Sequence, residues 1–302
     1  MANVYEIITD RIIKQLESGT APWHKPWSTP GQGGLPRNLV SKHPYRGINV
    51  WILASSGYAS PYWLTFKQAT ELGGHVRSGQ KGSPVVFWKF GTREVQDGEE
   101  IIERKSVLCR YYTVFNTSQC EGLPVKPAEA TEPVPNINPI ERCDQVVLQW
   151  LDKPTIQHGS HRACYSKSLD LVQMPDRVSF DNGEEYYSTL FHELTHSTGH
   201  PRRLNRSTLA TFERFGDEKY STEELVAEMG AAFLCGFTGI ENKTIRNSAA
   251  YLRSWLGMLK KDSRLVLIAA GQAQKAADLI LNQRGCSQEA PVLHSAAYEA
   301  IR

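Results

Sequence analysis

Apolar residues along this chain recur with two periods, and the pattern is broken once, by a run of prolines. Near the start, Val4, Ile7, Ile8, Ile12 and Leu16 fall at helical spacing and predict an amphipathic helix. A second helix is predicted over 65–72. Residues 84–90 and 107–115 are rich in β-branched and aromatic residues and read as strands, joined by a polar segment around Asp97-Gly98. Five prolines in the sixteen residues 124–139 exclude a helix or a central strand there and predict an extended linker. Beyond it, 140–151 reads as a helix, and 163–165 and 170–172 are short strand candidates. Helices follow over 251–260 and 263–281. The expected fold class is α+β, with a mixed α/β domain over 1–123, the linker over 124–139 and a second domain over 140–302.

The apolar pattern of the second half frames one chemical motif. Leu190, Phe191 and Leu194 keep helical spacing, and Asp181-Asn182-Gly183 supplies a turn with an N-cap. Glu184 and Glu185 suit the positive end of the helix dipole, and Gly199 with Pro201 ends the helix. Inside it lies His192-Glu193-Leu194-Thr195-His196. Two histidines four apart share one face of a helix, so both imidazoles reach one metal ion. Glu193 is then placed to act as general base toward a metal-activated water.

Such a site takes a third protein ligand from a separate element. A second helical pattern over 223–234 carries Glu224 and Glu228, and its E-x-x-A-E form resembles the glutamate-zincin arrangement. There the first acid binds the metal and the second orients a ligating histidine. Glu224 is accordingly the first candidate, with Glu228, Glu223 and His200 as alternatives. The bland reading is a polar helix whose histidines are satisfied without metal.

Charge adds a second theme. The formal net charge is only +2, yet residues 1–90 hold 10 Lys/Arg against 4 Asp/Glu. The same segment carries five of the seven tryptophans. Aromatic platforms in a positive groove are what binding of single-stranded nucleic acid requires. The candidates are Trp23, Lys25, Trp27, Arg37, Tyr45, Arg46, Trp51, Trp63, Arg77, Lys81 and Trp88. The competing reading is that these large side chains form a core.

No charged-then-apolar leader opens the chain, and no apolar run approaches the eighteen or so residues of a membrane span. Six cysteines without a C-x-x-C pair read as reduced thiols packed as small hydrophobes. A cytoplasmic location without membrane contact is expected.

Several short motifs in fixed order then carry a family resemblance. They are Ala21-Pro22-Trp23 through Trp27, Tyr45-Arg46-Gly47-Ile48-Asn49, Gly73-Gly74 and Gly82-Ser83-Pro84-Val85. Val114-Phe115-Asn116, the Phe191–His200 stretch and Glu223–Glu228 complete the set. In these the chain resembles the ArdC-type antirestriction proteins of conjugative plasmids over nearly its full length. The resemblance implies an N-terminal single-stranded DNA-binding domain, of a kind also fused to plasmid primases, and a C-terminal zincin-like metallopeptidase domain. It implies protection of incoming plasmid DNA from host restriction endonucleases, an activity attributed to the DNA-binding part. One Zn2+ per chain is expected, with restriction enzymes as candidate protein substrates met on DNA. The alternative is a non-catalytic DNA-binding shield with a structural or vestigial zinc site.

Overall fold

Local signals start most of the elements. A computed structural model describes residues 3–19, 21–24, 35–97, 100–124, 138–210, 218–242 and 249–283. Helix α1 (Val4–Glu17) opens on a capping box between Asn3 and Glu6 and buries Ile8, Ile12 and Leu16 on one face. Strand β1 (Arg37–Asn38) is followed by α2 (Ile48–Ala54) and β2 (Tyr62–Thr65). A second capping box, Thr65 with Gln68, starts α3 (Phe66–Glu71). Next come β3 (His75–Val76), β4 (Ser83–Asp97), β5 (Glu100–Asn116) and β6 (Cys120–Glu121).

The main sheet has the order β1-β2-β5-β4. β4 and β5 form a long antiparallel hairpin, in register from Ser83↔Val114 to Asp97↔Glu100. The two strands expected here are thus one hairpin around Asp97, longer than their apolar runs. β1 pairs parallel with β2, and β3 with β6 makes a separate antiparallel pair.

The second half begins with α4 (Pro139–Gln149), with Pro139 at the start of the helix and Asn138 capping it. Strands β7 (Thr155–Gln157), β8 (Cys164–Ser166) and β9 (Leu171–Gln173) make a small sheet of order β7-β9-β8. Helix α5 (Gly183–Ser197) carries the H-E-x-x-H motif, with Asn182 accepting the Glu185 N–H as N-cap. The short α6 (Ser207–Ala210) leads to α7 (Glu218–Thr238), then α8 (Ala249–Lys261) and α9 (Leu265–Ile280). The mix of helices and sheets is the α+β class expected. Most of the proline-rich stretch, 125–137, lies outside the described residues.

The largest core runs through both halves of the sequence. Ile8, Ile12, Trp23 and Trp51 from the first half share it with Phe233, Trp255, Ala270 and Ala273 from the second. Trp51 packs on Phe233 with ring centroids 4.6 Å apart, and Trp23 meets Trp255 edge-on at 5.5 Å. Polar ties cross the same boundary: the Thr9 hydroxyl donates to the Ser263 carbonyl, and the Gly47 N–H donates to the Gln274 side chain at 3.0 Å.

This packing corrects the stacking expectation for several aromatics. Trp23 and Trp51 are 0% exposed and Trp63 is 1% exposed, so none presents a ring face to a base. Tyr45 is also buried, and Trp88 is half-buried against the core and Tyr5. Removing so large an apolar surface from water outweighs keeping it for a ligand. Cys143 and Cys235 are buried free thiols, and burial pushes the Cys143 thiol up to about 12. No helix among the described residues is long and apolar enough to cross a membrane.

Candidate metal centre

Helices α5 and α7 cross so closely that glycine is required at the contact. A Cβ placed on Gly230 would meet Thr195 Cγ2 at 2.4 Å and its Oγ1 at 2.7 Å. The approach is what lets carboxylates on α7 reach imidazoles on α5. His192 and His196 are each 2% exposed, and their Nε2 atoms lie 3.0 Å apart. Both point toward Glu224, whose two oxygens stand 3.5 Å from His192 Nε2 and 3.5 Å from His196 Nε2.

Each imidazole has a second carboxylate on its other nitrogen. His192 Nδ1 lies 3.3 Å from Glu228, and His196 Nδ1 lies 3.4 Å from Glu223. Glu223 is further held by the Arg206 guanidinium at 2.6 and 3.1 Å and by the Thr208 hydroxyl at 2.5 Å. Arg206 in turn donates to the Thr195 carbonyl and the Thr198 hydroxyl, which ties it to the end of α5.

The electrostatics follow from this packing. Glu193, Glu223, Glu224 and Glu228 are all buried to 1% exposure or less. Burial pushes the Glu223 carboxyl up, but His196 and Arg206 outweigh it and hold the group down to about 2. Burial also pushes Glu224 up, and the two imidazoles outweigh it, leaving the carboxyl well below its usual range. For His196, burial lowers the pKa, while Glu223 and Glu224 raise it above its ordinary value. Arg206 offsets one of the four buried carboxylates, so the pocket favours added positive charge.

His192, His196 and Glu224 offer ligand atoms that all lie within 4.8 Å of one another. Two imidazoles and one carboxylate are a donor set of the kind that binds zinc and related divalent ions, so these residues fit such an ion. His200 is not in this group: it follows α5, and its Nδ1 accepts the Arg202 N–H at 3.2 Å. Glu223, weighed above as a ligand, instead faces His196 from the Nδ1 side. Nothing in the sequence marked Arg206, which lies in a polar loop ten residues past His196.

The basic and aromatic candidates divide. Arg37, Tyr45 and Arg46 come together on one cleft. Arg77 and Lys81 are exposed on the turn before β4, with Arg77 donating to the Ser118 carbonyl at 2.8 Å. Lys25 and Trp27 lie outside the described residues.

Known proteins match this architecture. The family model described as the N-terminal domain of the anti-restriction factor ArdC matches residues 2–115. That described as a zincin-like metallopeptidase matches residues 145–272. The metal-free crystal structure of the antirestriction protein ArdC from plasmid R388 is 42% identical, with a TM-score of 0.72. It covers 92% of this chain and 97% of that one. The chain belongs to the ArdC antirestriction family.

The Mn(II)-bound structure of the R388 ArdC protein is 40% identical, covers 93% of this chain and 98% of that one, and has a TM-score of 0.72. The DNA primase TraC of Escherichia coli is 37% identical over 297 residues, which are 92% of this chain. They are only 27% of the primase, so this ArdC-family chain spans about a quarter of that relative. The two-domain ArdC plan, an ArdC N-terminal domain followed by a zincin-like domain, therefore accounts for the whole order of motifs.

Proposed function

We propose that this chain is a cytoplasmic antirestriction protein that binds single-stranded DNA and carries a zinc peptidase site. His192, His196 and Glu224 would hold one Zn2+, and the observation that carries this reading is the convergence of both Nε2 atoms on Glu224. When bound, zinc supplies a Lewis acid that polarises a peptide carbonyl and lowers the pKa of water. Glu193 follows His192 in sequence, is buried at 1% exposure, and is the base that takes the proton of the attacking water. Glu228 and Glu223 orient the two imidazoles from behind.

The substrate in this reading is a protein met on DNA, with restriction endonucleases as the first candidates. Of the basic candidates weighed above, Arg37, Arg77 and Lys81 remain for the DNA phosphates, while Arg46 is bonded to Asp278.

A second reading is favoured by the relatives' own names, which speak of antirestriction and priming rather than proteolysis. In it the protein is a DNA-binding shield whose zinc is structural or vestigial. The deciding experiment takes the full chain, measures bound metal, and then incubates it with restriction enzymes with and without single-stranded DNA. One zinc per chain is expected, lost in His192→Ala and His196→Ala and kept in Glu193→Gln. Cleavage by wild type and not by Glu193→Gln supports the peptidase. Metal retained in the His192→Ala, His196→Ala double variant would refute the ligand set.

A further inference from the structure

A cleft of about 270 Å³ opens between the two halves of the chain. Arg37, Tyr45 and Arg46 wall it on one side, and Phe233, Phe237 and Gln274 on the other. Its volume is near the roughly 300 Å³ at which small-ligand sites begin. Among the described residues that line it there is no carboxylate.

Two guanidinium groups face this space, and they differ. Arg46 is bonded to Asp278, whose other oxygen accepts from Gln274 at 3.1 Å. Its charge is already matched. Arg37 Nε is buried and has no hydrogen-bond partner among the described residues. A buried donor without an acceptor is costly, and a phosphate bound in the cleft is a group that can supply the missing acceptor to this guanidinium. On the opposite wall, Phe237 is 39% exposed, a large apolar ring left in contact with water while Trp23 and Trp51 are buried. A guanidinium and an exposed aromatic ring lining one cleft are groups that together can hold a phosphate and stack its base.

We infer that this cleft holds one nucleotide of a single DNA strand, with its phosphate on Arg37 and its base against Phe237. The inference rests on the reading of the chain as a single-strand binder, and it adds a consequence. Phe237 and Gln274 belong to the zincin-like half, so the strand is gripped by both halves rather than by the ArdC N-terminal domain alone. Phe237 also lies on α7, the helix that carries Glu223, Glu224 and Glu228. A bound strand therefore touches the element that presents the metal-site carboxylates.

The test is a titration of labelled oligo(dT) into the full chain at several salt concentrations, for wild type, Arg37→Ala and Phe237→Leu. Circular dichroism confirms that each variant is folded. Arg37→Ala should weaken binding and reduce the slope of log affinity against log salt by about 0.7, the loss of one phosphate contact on a single strand. Phe237→Leu, which keeps apolar bulk but loses the ring, should weaken binding roughly 5- to 150-fold with the salt slope unchanged. Binding of dTMP as tight as that of oligo(dT), and lost in the same variants, would move the assignment to a free nucleotide and overturn the strand. If both folded variants keep wild-type affinity and slope, the cleft assignment fails while single-strand binding stands. If wild type itself does not bind oligo(dT), the single-strand reading and the cleft assignment fall together.

Discussion

Glu223 reaches His196 Nδ1 at 3.4 Å while being clamped from behind by Arg206 at 2.6 Å. The imidazole that faces Glu224 with Nε2 is thus fixed by a buried ion pair on its other side. The same placement recurs between Glu228 and His192 Nδ1 at 3.3 Å. A carboxylate on Nδ1 fixes the tautomer that leaves Nε2 as a metal donor.

Glu223→Gln should therefore weaken metal binding by roughly 10- to 100-fold without removing it, whereas Glu224→Ala is expected to abolish it by removing a proposed ligand. Arg206→Ala should cost about 3–5 kcal/mol of stability, because it leaves the buried Glu223 carboxylate without its guanidinium. Metal titration and chemical denaturation measure the two effects separately. Equal metal loss in Glu223→Gln and Glu224→Ala would show that Glu223 is itself a ligand.

At the helix crossing, Gly230→Ala is expected to push α5 and α7 apart, since the new methyl would sit 2.4 Å from Thr195 Cγ2. Overpacking of this kind costs about 1–3 kcal/mol, and alanine's better helix propensity returns up to about 1. A lowered melting temperature together with weaker metal binding is the expected pair of results. An unchanged melt would mean that the crossing is looser than this contact implies.

The shared core makes a prediction about truncation. A fragment ending at Pro124 would leave Ile8, Ile12, Trp23 and Trp51 without Phe233, Trp255 and the small residues of α9. Each such side chain loses roughly 1.5–3 kcal/mol of burial. The fragment should bind a hydrophobic dye or precipitate, and its unfolding should lose cooperativity. A sharply melting, soluble fragment would establish the first half as an independent unit.

Acid should loosen a second node. Arg203 donates both terminal nitrogens to Asp170 at 2.8 Å, and the Tyr165 hydroxyl donates to the same carboxylate at 2.8 Å. Burial pushes the Asp170 carboxyl up, but these partners outweigh it and its pKa falls below the ordinary 3.8. A carboxyl whose folded pKa is depressed adds stability above its unfolded value and loses it as pH falls through the folded one. Asp170→Asn should flatten the loss of stability below pH 3.8, and it keeps a side chain that tolerates the positive φ of 45° at this position. Denaturation curves at stepped pH provide the check.

Local pattern made much of the fold legible. The first and last helices, the 140s helix and the H-E-x-x-H helix appear close to where periodicity and caps put them. Short elements were not legible: α2 holds Ile48 to Leu53 almost wholly buried, so its pattern shows no polar face. β7 is three residues long and is defined by its pairing with β9.

The sequence alone determined that His192 and His196 share a face of α5 and that Glu224 and Glu228 share one of α7, because a four-residue spacing on one helix brings side chains together with no help from the rest of the chain. Tertiary structure decided which acid faces which nitrogen, because Glu223, Glu224 and Glu228 are told apart only by how α7 lies across α5. It also decided that Trp23, Trp51 and Trp63 are core and that Arg37 and Phe237 share a cleft. Those outcomes depend on contacts between residues far apart in the chain. Composition counts aromatic and basic side chains, but burial is settled by what packs against them.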